Sequence, residues 1–169
     1  MVVDPEAGHG RTECPRTRHV PASTLSYRGD VSLPADDLVA TYLRALTTAD
    51  ADLVASLFAD DGVVHSPLYG PRPAREFYSE LFADTSQANL TLKSVMSGED
   101  QAGQTTVSFW FHFDWRLSSG AAAPFDVVDV ATLDPDGKIR ELRIIYDTVD
   151  VRPAFEDEVG HASWRRPRS

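Results

Sequence analysis

A single cysteine, Cys14, stands in the 169 residues, so no disulfide can form within the chain and the fold must be held by its core alone. A lone thiol suits a reducing compartment, and the cytoplasm is the expected location. Met1–Asp30 lacks the apolar stretch of a secretory leader, and no run approaches the length of a membrane span, so no membrane partner is expected. Basic side chains are scarce: 16 Lys and Arg face 26 Asp and Glu, a formal net charge of −10. The deficit is concentrated between residues 35 and 159, because Arg11, Arg16, Arg18 and Arg28 lie before that stretch and Arg165, Arg166 and Arg168 after it. Such an acidic body repels phosphate backbones, which argues against nucleic acid as a partner. Several chemical signatures are also missing. There is no phosphate-cradling glycine loop and no Gly-x-Ser-x-Gly elbow. The histidines do not have zinc-ligand spacing, since His9, His19 and His161 lie in the flanks and His65 and His112 fall on separate strands. No metal and no cofactor are expected.

What is present divides into three parts. Residues 1–33 are rich in Pro, Arg, Thr, Ser and Gly without periodicity and read as a disordered arm. Residues 34–152 carry the folded domain, and 153–169 a short helix followed by a basic tail of the same character as the arm. Within the domain, Pro34-Ala35-Asp36-Asp37 opens a helix over about 36–48 with Leu38, Val39, Tyr42, Leu43 and Leu46 on its apolar stripe. Asp50 can cap a second, short helix with Leu53, Val54, Leu57 and Phe58 inward. A strand at 62–66 containing Val64 stops at Pro67, and a third helix over about 73–83 turns Phe77, Tyr78, Leu81 and Phe82 inward. Strands follow at 89–97, 105–117, 123–133 and 138–147, separated by Gly- and Asp-rich turns. Helices first and a strand meander afterwards predict an α+β fold: three helices covering one face of a curved, mostly antiparallel sheet, with a pocket in the wedge between them.

Three polar side chains would face that wedge. In the strand Phe125–Leu133, a period of two puts Asp129 on the face of Val127, Ala131 and Leu133. It is either an edge-strand carboxylate turned to water or a buried group that needs a partner or a proton. Tyr42 and Tyr78 each lie on the apolar stripe of a helix. Each is either a core tyrosine bonded to a backbone carbonyl or a member of a donor cluster with Asp129. The strand 105–117 alternates strictly, Phe109, Phe111, Phe113 and Trp115 on one face and Trp110, His112, Asp114 and Arg116 on the other. Which face turns inward is open, and with it whether His112 can serve as an acid or base.

The run Tyr42-Leu43-Arg44-Ala45-Leu46, the motif Phe58-Ala59-Asp60-Asp61, Pro67, Arg75-Glu76-Phe77-Tyr78 and Asp129…Asp136-Gly137-Lys138-Ile139 together carry a resemblance. Residues 36–150 resemble the ketosteroid isomerase branch of the nuclear transport factor 2-like superfamily, which also includes the limonene epoxide hydrolases and the SnoaL-like polyketide cyclases. The resemblance implies a cone-shaped α+β barrel. It also implies an oxyanion hole in which Tyr42 and a protonated Asp129 donate hydrogen bonds, supported by Tyr78. Trp110 and His112 match positions where the epoxide hydrolases carry an inward Arg and Asp. Phe58, Val64, Ser66, Tyr78, Trp110, Ile144 and Tyr146 are the expected substrate contacts.

The chain departs from the pattern at two places. The isomerases' basic Asp is replaced by Ser66, and a serine cannot take a proton from carbon without an activator of its own. Where the epoxide hydrolases and cyclases carry a catalytic carboxylate, this chain has Ile144. The expected function is a small isomerase or cyclase acting on a bulky apolar carbonyl or enol substrate, with Tyr42 and Asp129 holding an oxyanion and His112, or a water on Ser66, moving protons. The alternatives are a non-catalytic binding protein for an apolar small molecule and an epoxide hydrolase-type cyclase. A sheet-to-sheet homodimer is expected from the apolar content of strand 105–117.

Overall fold

The computed structural model describes residues 32–164, with side chains from Ala35 onward; the expected arm 1–31 and the tail 165–169 lie outside the described residues. Four helices and six strands follow one another in the order α1 (Ser32–Thr47), α2 (Ala51–Ala55), β1 (Phe58–Ser66), β2 (Gly70–Pro73), α3 (Ala74–Ala83), β3 (Thr85–Glu99), β4 (Thr105–Leu117), β5 (Phe125–Leu133), β6 (Ile139–Ile145) and α4 (Val151–Val159). The strands form one sheet in the order β2-β1-β6-β5-β4-β3. Only β1 and β6 run parallel, and the other pairs are antiparallel. This is the expected α+β arrangement, a curved sheet wrapped on helices, with the cone left open between β2 and β3.

Helix α1 starts a turn earlier than its acidic signal implies, which places Pro34 in the first turn, where a missing N–H costs nothing. Its inward row is Ala35, Val39, Tyr42 and Leu46, the i, i+4 and i, i+3 spacing of one helical face. Asp50 does cap α2, its Oδ1 accepting from the Leu53 amide at 2.9 Å. That helix ends after five residues, so Phe58 belongs to β1 and not to α2 as the pattern suggested. The cause is non-local: the Leu57 carbonyl accepts from Ile139 N at 2.9 Å, which draws the chain into the sheet. The β1–β6 register slips between Phe58 and Val63, and a Cβ at Gly62 would lie 2.9 Å from the Ile139 carbonyl, so glycine is required there.

Strand β2 has no period of its own to announce it. It holds two prolines in four residues and survives as an edge strand, where a missing donor is tolerated. Strand β4 decides the direction of the core. Val107, Phe109, Phe111, Phe113, Trp115 and Leu117 are all buried, and Trp110 is 43% exposed on the opposite face. Burying one row of four large aromatics outweighs burying a row that holds His, Asp and Arg.

Helix α4 begins two residues before Pro153 and ends at Gly160, whose φ of 69° is the left-handed cap glycine readily adopts. Part of the expected basic tail is docked. Trp164 N donates to the Leu68 carbonyl at 2.8 Å, and Arg152 reaches the Trp164 and Pro67 carbonyls at 3.0 and 3.4 Å. Phe155 anchors α4, 2% exposed, with its ring 4.9 Å from Tyr69 and 6.1 Å from Trp115. Phe155→Ala is expected to lower the unfolding free energy by about 3–5 kcal/mol in urea denaturation. A loss below about 1 kcal/mol would mean that α4 is not part of the cooperative core.

Candidate active site

The sheet and helices leave an apolar cavity in the wedge, and a polar cluster drawn from three elements stands at its edge. Tyr42 comes inward from α1, Tyr78 from α3 and Asp129 from β5, and all three are 2% exposed or less. Their hydroxyls form a directed chain. Tyr78 Oη donates to Tyr42 Oη at 3.0 Å, and Tyr42 Oη donates to Asp129 Oδ2 at 2.9 Å. The Tyr42 ring stands edge-on to Phe109 at 5.1 Å and to Tyr78 at 6.1 Å, so packing holds the hydroxyl's direction. Asp129 is thus the buried member of the two readings open in the sequence.

Asp129 Oδ1 is buried and has no hydrogen-bond partner. Burial raises the carboxyl from 3.8 to about 7, against the opposing effect of the Tyr42 hydrogen bond. Burial likewise pushes the Tyr42 phenol well above 10, with the Asp129 charge adding to it, and it pushes up Tyr78. At neutral pH the two tyrosines are therefore neutral donors, while Asp129 divides between acid and carboxylate.

The cavity walls are aromatic. Phe111, Phe113 and Trp115 of β4 form one side, and Phe125 stacks on Tyr146 at 4.2 Å among the other lining residues. The cavity is small, about 40 Å³, room for no more than a few waters. Ile144 and Tyr146 border it as expected, and Asp129 pairs in register with Ile144 across β5 and β6. Burial raises the Tyr146 phenol, and Arg152 and Ser66 offset this in part. Ser66 also borders the cavity, but its Oγ accepts from the Leu68 and Tyr69 amides at 3.2 and 3.3 Å. It shapes the turn after β1, as hydroxyls before tight turns do.

Five expected positions fall elsewhere; Tyr78, expected as a substrate contact, bonds the Tyr42 hydroxyl but does not border the cavity. His112 is on the outer face of β4, where Nδ1 lies 2.9 Å from Asp126 Oδ1 on the neighbouring strand, so it cannot be the acid or base of this cavity. Trp110 shares that outer face. The strand's parity separates both from the cavity, because the aromatic row won the inner side. Phe58 and Val64 are buried, but they lie in the core behind the cavity; Phe58 packs on Tyr78 at 5.7 Å. Conversely, Tyr69, Trp115 and Phe125 border the cavity without having been singled out. Trp115 was legible from the β4 alternation once its direction is known, whereas Tyr69 follows a proline turn with no period to orient it. Asp147, expected to end the last strand, lies two residues beyond β6, accepts from Val149 N at 3.0 Å and forms a turn.

Residues 39–142 match the model of the SnoaL-like domain. The chain belongs to that family. Solved structures with the same fold include SalBIII, an epoxide hydrolase/cyclase-like enzyme in pyran ring formation in the polyether salinomycin, at 20% identity and a TM-score of 0.56 over 69% of this chain and 92% of that one. TerC, co-crystallised with polyporic acid, matches at 19% identity and a TM-score of 0.58 over 75% of this chain and 98% of its own. An NTF2-like protein of unknown function from Exiguobacterium sp. 255-15 matches at 18% identity and a TM-score of 0.54 over 65% and 98%. At these identities the likeness establishes the shared fold.

The raised Asp129 pKa has a consequence for stability. The folded protein holds this proton to a higher pH than the unfolded chain does, so the group's contribution to stability falls as pH rises from about 4 to about 7 and is level above that. Asp129→Asn keeps an acceptor for Tyr42 and removes the charge. Relative to the parent protein, the variant should gain on the order of 3–4 kcal/mol between about pH 4 and about pH 8 in urea unfolding. A gap that does not widen with pH would mean that the carboxyl titrates normally in the fold.

Proposed function

We propose that this protein is a cofactor-free enzyme that takes a bulky apolar substrate bearing a carbonyl or enol oxygen, of the polyketide or terpenoid kind, and isomerises or cyclises it. The observation that carries this reading is the unpartnered, buried Asp129 Oδ1 in an aromatic-walled cavity. A carboxyl placed there without use would be a net loss of stability, since burial of an incompletely bonded polar group costs about 1–3 kcal/mol. A ligand oxygen at Oδ1 completes the bonding. Protonated Asp129 and Tyr42 then offer neutral donors to an oxyanion in a dry site, where such bonds are strongest. The aromatic walls select an apolar skeleton and exclude water.

At about 40 Å³ the cavity is smaller than a bulky substrate, so binding requires the aromatic walls to part. SalBIII, with its part in pyran ring formation, and TerC, crystallised with polyporic acid, make oxygenated cyclic compounds the first class to test. Ser66, committed to the turn amides, and the outward His112 favour one second reading, a non-catalytic binding protein for the same class of molecule. An epoxide hydrolase-type reaction has less support, since Ile144 stands where the resemblance implies its carboxylate.

We further propose a sheet-to-sheet homodimer. Trp110, Val128 and Ile145 form one continuous row across the outer faces of β4, β5 and β6, and Met96 is exposed on the same face. Light scattering should show a dimer that Trp110→Asp dissociates, and a parent protein that is monomeric at every concentration would refute it.

A substituted phenol such as 4-nitrophenol imitates an enol and tests the site directly. It should bind in the cavity, and Tyr42→Phe should weaken binding about tenfold or more, the worth of one charge-assisted hydrogen bond. If the parent protein does not bind phenols at any pH, the oxyanion-site reading is wrong.

A further inference from the structure

We propose that Asp129 alone supplies the acid–base chemistry of this site, its free Oδ1 taking a proton from the substrate and returning it at a second position while Oδ2 holds the Tyr42 hydroxyl until Oδ1 is protonated. This rests on the reading of the cavity as a carbonyl or enol site. The geometry leaves no other candidate among the described residues. Ser66 is held by two amides. His112 is paired with Asp126 on the outer face, and His65 lies 3.7 Å from Glu141. Asp84 is occupied by the Tyr69 hydroxyl at 2.7 Å, and Asp147 by its own turn. The tyrosines that border or support the cavity all have phenols pushed up by burial, which makes them poor bases at neutral pH.

The step balances without a co-reactant. Asp129 Oδ1 takes the proton of a C–H bond next to the carbonyl; the bonding pair becomes the enolate C=C, and the carbonyl π pair moves to oxygen. In return, Oδ1 gives up the same proton to another carbon of the conjugated system, or to the enolate oxygen, and is again a carboxylate. The directed hydroxyl chain couples the two halves. While Asp129 is charged it holds the Tyr42 hydrogen on Oδ2, a charge-assisted bond. Once Oδ1 is protonated that bond weakens, and Tyr42, itself polarised by the Tyr78 hydroxyl, is released toward the enolate oxygen as that oxygen becomes charged. One carboxyl therefore acts as base and also switches on the oxyanion donor. The groups facing it are Tyr42 from α1, Tyr78 from α3 and Tyr146 after β6, and no basic side chain contributes to its ionisation. A value of about 7 leaves it able to accept and to donate at neutral pH.

The test is hydrogen–deuterium exchange at the carbons beside the carbonyl of 2-tetralone, followed by NMR in D₂O with the full chain, alongside phenol binding. The parent protein should accelerate exchange over buffer, with a pH profile rising through about 7. Asp129→Asn should lower the rate about 100-fold or more while still binding 4-nitrophenol. Tyr42→Phe should move the midpoint of the profile to higher pH, because the bond it removes favours the charged carboxylate; a residue that only held the fold would not shift it. Exchange that persists in Asp129→Asn, or phenol binding by the parent protein without any acceleration of exchange, overturns the proposal and leaves the carbonyl-site reading standing. Absence of phenol binding overturns both.

Discussion

The hydrogen bond from Tyr42 to Asp129 ties residues 87 positions apart and connects the first helix to the fifth strand. Much of the rest of the architecture can be understood as what this bond requires. Tyr42 reaches the strand because Ala35, Val39 and Leu46 seat its face of α1 in the core. Asp129 meets it because β5 is locked in register between β4 and β6. Tyr78 orients the acceptor side of the Tyr42 hydroxyl from a third element, so that the donor is aimed at the carboxyl and away from neighbouring carbonyls.

The dryness that gives the carboxyl its character comes from β4. Its inner row of Phe and Trp excludes water, and exclusion of water raises Asp129 to about 7. The same row supplies much of the apolar burial that stabilises the domain, so the residues that make Asp129 costly also offset that cost. The proposed function and stability conflict at one carboxyl and are reconciled by the strand beside it, as expected where a site breaks the rule that buried polar groups are fully bonded. Phe155 packs on Tyr69 and Trp115, two residues that border the cavity, and Trp164 N bonds the Leu68 carbonyl, which ties α4 and the segment after it to the same core.

Much of this was legible along the chain. The helical stripe placed Tyr42 and Tyr78 inward, and a period of two placed Asp129 with Val127 and Ala131. Asp50 as a cap and the α+β order were readable for the same reason: each rests on contacts within a few residues. The illegible parts depend on distant partners. Phe58 continued a helical pattern but was drawn into the sheet by Ile139, and β2 had only prolines and a glycine to mark it. His112 suited acid–base chemistry by residue type, yet its strand parity was fixed by which face the helices covered.

By itself, then, the sequence determined which side chains share a face, because the periods of helix and strand are local properties of the backbone. That much settles an α+β domain with a tyrosine and a carboxylate on its apolar surfaces. Only the tertiary structure decided which face of β4 is inside, that Ser66 is spent on a turn, and that one oxygen of Asp129 is bonded while the other is free. These depend on which surfaces meet and exclude water, and the ionisation of a carboxyl follows that exclusion rather than its neighbours in sequence.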